Sequence, residues 1–174
     1  AVVRALAREN FRRIGENYAC GVKTALLSPA ALRARVTILG HEKFLAHATP
    51  RGPATCVVAL GHFGNFELYA RFGQFVPGYQ CLTTYRALRP PRINRLVQSL
   101  RERSGCWFFE RRSEGHALRA ALRPTGQLLG LLADQRVGRG GVRIPFLGHE
   151  CLTSTATALF ALRYRLPLHP AVCY

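Results

Sequence analysis

The chain has 174 residues, 48% hydrophobic and 20% charged, enough for one domain with a sizeable core and unlike a disordered chain. Its charge is lopsided: 25 Lys and Arg against 9 Asp and Glu, a formal +16. Lys23 and Lys43 are the only lysines, so the basic surface is almost wholly guanidinium, which grips phosphate and carboxylate through a planar fork. A GC-rich genome accounts for arginine in place of lysine but not for the scarcity of acids.

In chain order, Ala1–Leu27 reads as a helix, with Ile14, Tyr18 and Val22 at spacing four and Ser28-Pro29 as its stop. Val36–Leu39 is expected to be a short strand and Thr55–Leu60 a buried one; Phe66–Phe75 follows as a helix and Tyr79–Thr84 as a strand. Pro91–Arg103 reads as an amphipathic helix with Ile93, Leu96, Val97 and Leu100 on one face. Next come a strand at Cys106–Phe109, a helix at Glu114–Arg123, a strand at Gln127–Leu132 and an extended segment at Val142–Phe146. Ser154–Tyr164 is helical, and Leu168–Cys173 has the look of a strand entering the middle of a sheet. The glycine-rich stretch Arg136–Arg143 is a candidate mobile loop.

This alternation predicts an α/β fold with a mostly parallel or mixed central sheet flanked by helices. In such sheets ligands bind beyond the carboxyl ends of the strands, so chemistry is sought in the residues that follow them. Six scattered cysteines form no C-x-x-C and no zinc-like Cys/His spacing, which argues against a structural metal. They read as reduced, and the chain as facing the cytosol. No apolar run approaches the roughly 20 residues of a membrane span. Ala1 is not a methionine and Tyr174 lies in an apolar run, so both ends read as cut.

Gly61-His62-Phe63-Gly64-Asn65-Phe66-Glu67 directly follows the predicted strand ending at Leu60. Five residues of regular helix would set His62 and Glu67 about 140° apart. They can meet if His62 lies on the turn and Glu67 on the first turns of the helix, and Gly64-Asn65 suits that turn. Glu67 would then hold one imidazole nitrogen, leaving the other to take a proton from a hydroxyl. Asp134, the only aspartate, follows the apolar run LLGLLA and could organise the site by pairing with an arginine, or be a plain turn residue. Arg86, Arg111 and Arg112 follow strands, where a guanidinium could face phosphate or solvent.

GHFGNFE resembles the H-x4-[DE] motif of the bacterial lipid A biosynthesis (lauroyl/myristoyl) acyltransferases, a branch of the glycerolipid acyltransferase superfamily. Tyr85-Arg86 with Pro91–Arg103 is similar to that family's tyrosine-arginine step and Arg-rich helix. Gly105–Arg111 resembles the superfamily's second motif, and Asp134-Gln135 with GVRIPFLG (Gly141–Gly148) resembles its Asp-Gln and Pro-Phe-Phe-Gly stretches. Thr153–Arg163 matches the next helix. The resemblance spans residues 1–174 as one catalytic domain. It implies a glycerolipid-acyltransferase-like fold, incomplete here at the C-terminus, where further strands and helices are expected, and lacking an N-terminal anchor.

The implied chemistry is transfer of a fatty acyl group from an acyl thioester, acyl-carrier protein or CoA, to a hydroxyl of a lipid or glycolipid. His62 is then the general base, Glu67 its orienting partner, and Gly64 and Asn65 amides or an arginine the oxyanion donors. Arg86, Arg111, Asp134 and Gln135 complete the substrate-binding set. No metal or cofactor is expected beyond the thioester co-substrate. The partners are an acyl-carrier protein, the lipid acceptor and an anionic membrane surface, and the place is the cytoplasmic face of a bacterial inner membrane, peripheral or anchored, in lipopolysaccharide synthesis. Two other readings stand beside this one. A basic nucleic-acid-binding module would use the same charge, though aromatics do not interleave with the arginines. A thioesterase-like hydrolase would turn the same base on water.

Overall fold

The computed structural model describes residues 2–123, 125–138 and 140–174. Five parallel strands form the central sheet: β1 (Cys56–Leu60), β2 (Gln80–Tyr85), β3 (Trp107–Glu110), β4 (Gln127–Leu132) and β7 (Leu168–Ala171), in the order β3-β2-β4-β1-β7. The strands are near-continuous apolar runs because a parallel sheet is covered on both faces. Leu128 packs to one side with Val58, Cys81, Cys106 and Tyr79, under the 3₁₀ helix Phe66–Gln74 and helix α3 (Glu42–Leu45). Leu129 and Leu131 pack to the other with Leu82 and Leu118, under α5 (Gly115–Ala121) and α6 (Ala156–Tyr164). Each fully buried leucine contributes roughly 1.5–3 kcal/mol.

The fold class and most elements follow the sequence reading, with differences at particular places. Helix α1 (Val2–Ala25) forms, yet buries no residue, and Ile14, Tyr18 and Val22 are largely exposed. It is tied to the body at its carboxyl end, where the buried Arg71 donates to the Thr24 carbonyl, a favourable place for a cation. Helix α2 (Pro29–Arg33) is capped by the Ser28 hydroxyl. Residues Val36–Leu39 are not a strand: both sides of β1 are taken by β4 and β7, and the segment instead runs along a cavity wall. The helix after β1 is of the 3₁₀ type. Helix α4 (Pro91–Glu102) leaves Ile93 and Leu96 in solvent.

Val142–Phe146 is strand β5, and it pairs with a strand the periodicity did not reveal, β6 (His149–Thr153), as a separate antiparallel hairpin. Among the described residues β7 pairs only with β1 and forms one edge of the sheet. Of the expected mobile loop and first helix, Arg139 and Ala1 lie outside the described residues.

One close approach sets the layer above the sheet. A side chain at Gly130 of β4 would meet the Tyr69 ring at 2.2 Å, so the glycine lets Tyr69 lie flat across the strands and donate to the Leu128 carbonyl. Burial drives the Tyr69 phenol well above its usual range.

Candidate functional site

Because all five strands run one way, the residues that follow β1, β2, β3 and β4 gather at one rim of the sheet. His62, Arg86, Arg111 and Asp134 are such residues. The register between β1 and β4 pairs Leu60 with Leu132, and the Ala133 N–H donates to the Leu60 carbonyl beyond it. Two residues past the last pair on each strand stand His62 and Asp134. The His62 backbone N–H donates to Asp134 Oδ2 at 2.6 Å, and His62 Nδ1 lies 2.7 Å from Asp134 Oδ1.

Partial burial opposes ionisation of Asp134, but the two bonds from His62 outweigh it and hold the carboxyl below the usual aspartate range. An ionised carboxylate only accepts, so Nδ1 carries a proton, and in the neutral ring the lone pair lies on Nε2. Nε2 is turned away from Asp134 and has the Gln135 amide nitrogen at 3.4 Å. The His62 and Asp134 side chains are each 30% exposed, so a substrate can reach them. The Phe66 ring packs edge-on against the imidazole, centroids 4.8 Å apart.

The expected contact between Glu67 and His62 is absent. Glu67 instead forms a two-pronged ion pair with Arg101 of α4, at 2.6 and 3.3 Å. The physical reason is competition. Arg101 is held over the rings of Phe108 and Tyr85 and offers a planar fork to a carboxylate, while Asp134 already occupies Nδ1. Among the described residues Asp134 accordingly pairs with no arginine. Arg101 is the residue the sequence reading missed. Its signal was weak, one arginine among several on an Arg-rich helix.

Gly64 and Asn65 build the turn. Gly64 has φ 51°, and a side chain there would meet the Cys173 carbonyl oxygen at 2.6 Å. The buried Asn65 side chain points to α1, donating to Thr24 Oγ1 at 3.0 Å, away from His62. Arg86 and Arg111 are exposed on the rim; the Arg111 N–H bonds the Tyr85 carbonyl. Among the described residues, no group of His, Cys, Asp or Glu is placed to hold a metal ion.

Beside the histidine lies a cavity of about 550 Å³, within the range of small-ligand sites. Its wall includes Gly61 and Phe66, which flank His62, and it passes Leu60, Tyr69 and Phe72 to Phe44 and His169. The lining is chiefly aliphatic and aromatic.

No described helix is long and apolar enough to cross a membrane. No curated relative matches the chain. The sequence model of the bacterial lipid A biosynthesis acyltransferase family matches residues 1–174. With that match over its whole length, the chain belongs to the bacterial lipid A biosynthesis acyltransferases, enzymes that transfer an acyl group to a lipid acceptor.

Proposed function

We propose that the chain moves a fatty acyl group from an acyl thioester, carried on acyl-carrier protein, to a hydroxyl of a glycolipid at the cytoplasmic surface of a membrane, with His62 as general base and Asp134 as its orienting partner. The observation that carries this reading is the 2.7 Å bond from His62 Nδ1 to Asp134, which leaves Nε2 basic beside an apolar cavity. In the reaction Nε2 takes the hydroxyl proton as the hydroxyl oxygen bonds to the thioester carbon. The carbon–sulfur bond then breaks, and the imidazolium returns the proton to the leaving thiolate. Asp134 stabilises the imidazolium in between.

The acyl chain fits the cavity running from Gly61 towards Phe44. Glu67 enters this reading as the partner of Arg101, whose guanidinium lies over the Tyr85 and Phe108 rings, while the exposed Arg86 and Arg111 at the rim can meet phosphate or the developing oxyanion. Cys56 and Cys81, buried in the sheet, are poor acyl acceptors: burial pushes the Cys56 thiol up to about 11 and Cys81 up to about 12, so neither is a ready thiolate.

Thiol release from acyl-carrier protein, measured with and without a glycolipid acceptor, tests the proposal. Acceptor-dependent release accompanied by acylated lipid is expected. Release that ignores the acceptor would assign the same base to hydrolysis.

A further inference from the structure

Among the described residues, nothing covers the apolar side chains that the β5–β6 hairpin presents to solvent. All five β5 residues are exposed. Val142, Ile144 and Phe146 share one face, opposite Thr153, Cys151 and His149, and Phe146 is 62% exposed. The two-residue loop is Leu147-Gly148, with φ 50° and 80°. Positive φ at both positions calls for Asn-Gly or Asp-Gly, yet a leucine 83% exposed occupies the first. That residue is unfavourable for the turn and for water alike.

The hairpin's position gives the apolar tip a use. It grows from the segment that leaves β4 just after Asp134 and Gln135, and the Val137 N–H donates to the Leu152 carbonyl at 3.3 Å. Phe63, next to His62, is also exposed, as are Arg86, Leu88 and Arg89 beyond β2. Arg143 on β5 is exposed with only a 3.5 Å pair to Glu150. The rim, through Phe63, Leu88, Arg86 and Arg89, and the hairpin rooted beside it, through Phe146, Leu147 and Arg143, each combine apolar points with guanidinium groups. A second copy docking rim to rim would set arginine against arginine, whereas an anionic bilayer complements both features.

We infer that the Phe146-Leu147 tip of the β5–β6 hairpin inserts into an anionic lipid surface and holds the His62 rim against the bilayer. This rests on the reading above that the acceptor is met at a membrane. Phe146 and Leu147 belong to no part of the His62 machinery.

The test uses vesicles of phosphatidylethanolamine and phosphatidylglycerol in equal parts, with phosphatidylcholine vesicles for comparison. The double variant Phe146→Ser/Leu147→Asn should bind the anionic vesicles roughly tenfold or more weakly. Its melting temperature should hold or rise, because asparagine suits the turn. Its acyl transfer should fall for acceptor in vesicles and stay at the parent level for acceptor in detergent. In a Trp107→Phe background, the indole introduced by Phe146→Trp should shift to the blue on anionic vesicles and be quenched by brominated lipid.

If the parent chain ignores anionic vesicles, the membrane reading and the hairpin's role fall together. If the parent binds but the double variant binds equally, or the indole emission stays unchanged, the hairpin assignment alone is overturned. An emission shift that follows protein concentration without lipid would make the tip a contact between copies. A loss of transfer equal in detergent and vesicles would make it a carrier-protein contact. Either result overturns the inference.

Discussion

His62 and Asp134 stand 72 positions apart in the chain and 2.7 Å apart in space. The parallel register of β1 and β4 brings them together: each is the second residue beyond its strand, and the strands are neighbours. Replacing His62 by alanine should lower acyl transfer by roughly 10²–10⁴, the weight of a general base. Asp134→Asn should lower it by a comparable factor, because the amide can stabilise neither the tautomer nor the imidazolium. Steady-state rates on folded proteins check this, with circular dichroism confirming the fold. Full activity in either variant would remove the pair from the mechanism.

The same bond has a pH signature. Asp134 titrates below its unfolded value of about 3.9, held down by the His62 donors against the opposing effect of burial. A carboxyl lowered on folding contributes stability that is complete above the unfolded value. That stability is lost as pH falls through the folded one. The melting-temperature gap between parent and Asp134→Asn should therefore be constant at neutral pH and shrink below about pH 4. A gap that persists undiminished into acid would mean that the carboxylate makes no such contact.

Glu67 and Arg101 should behave as a unit. Arg101→Lys keeps the charge but loses the fork and the stacking on Phe108 and Tyr85, and its activity should fall nearly as far as that of Arg101→Ala. In a double-mutant cycle, Glu67→Gln should matter much less once Arg101 is alanine, with a coupling of about 0.5–3 kcal/mol. Additive effects would show that Glu67 acts independently of Arg101, including through His62.

Much of this fold was legible before the structure. The run QLLGLL predicts a strand with the bounds it has, Gln127–Leu132, because a continuously apolar stretch of that length bounded by turn residues suits a doubly covered sheet. That His62 stands just beyond the end of a buried strand was also readable. The identity of the histidine's partner was not. Spacing along one segment favoured Glu67, whereas the answer depended on which distant strand lies beside β1, and strand order is not written in local periodicity. Residues β6 (His149–Thr153) escaped for another reason: a hairpin exposed along one strand lacks the alternation by which half-buried strands are recognised.

The basic surface makes a prediction of its own. Near-surface arginines each add about 1 kcal/mol of attraction to an anionic bilayer at low salt, and screening shortens that reach as salt rises. Co-sedimentation with phosphatidylglycerol vesicles should weaken steeply between low and high salt, and phosphatidylcholine vesicles should retain little protein. Binding indifferent to both salt and lipid charge would mean that the arginines play no part in docking.

Tyr69 and Gly130 offer a test of packing. Gly130→Ala places a methyl at 2.2 Å from the partly buried Tyr69 ring, an overpacking expected to lower stability by at least about 1–3 kcal/mol. Tyr69→Leu, which shortens the side chain, should recover part of that loss in the double variant even though it is itself destabilising. Chemical denaturation of the four proteins decides it. A harmless Gly130→Ala would mean that the ring sits elsewhere.

The strand order also bears on how the chain folds during synthesis. β1 is made early, but both of its neighbours, β4 and β7, come later in the chain. Residues Cys56–Leu60, apolar and rich in β-formers, can find no native partner until Leu132 has left the ribosome. At about 5–20 residues per second that wait lasts on the order of several seconds. For that interval the nascent chain carries an unpaired, aggregation-prone strand, which makes it a natural client for a ribosome-associated chaperone and sensitive to translation speed between β1 and β4.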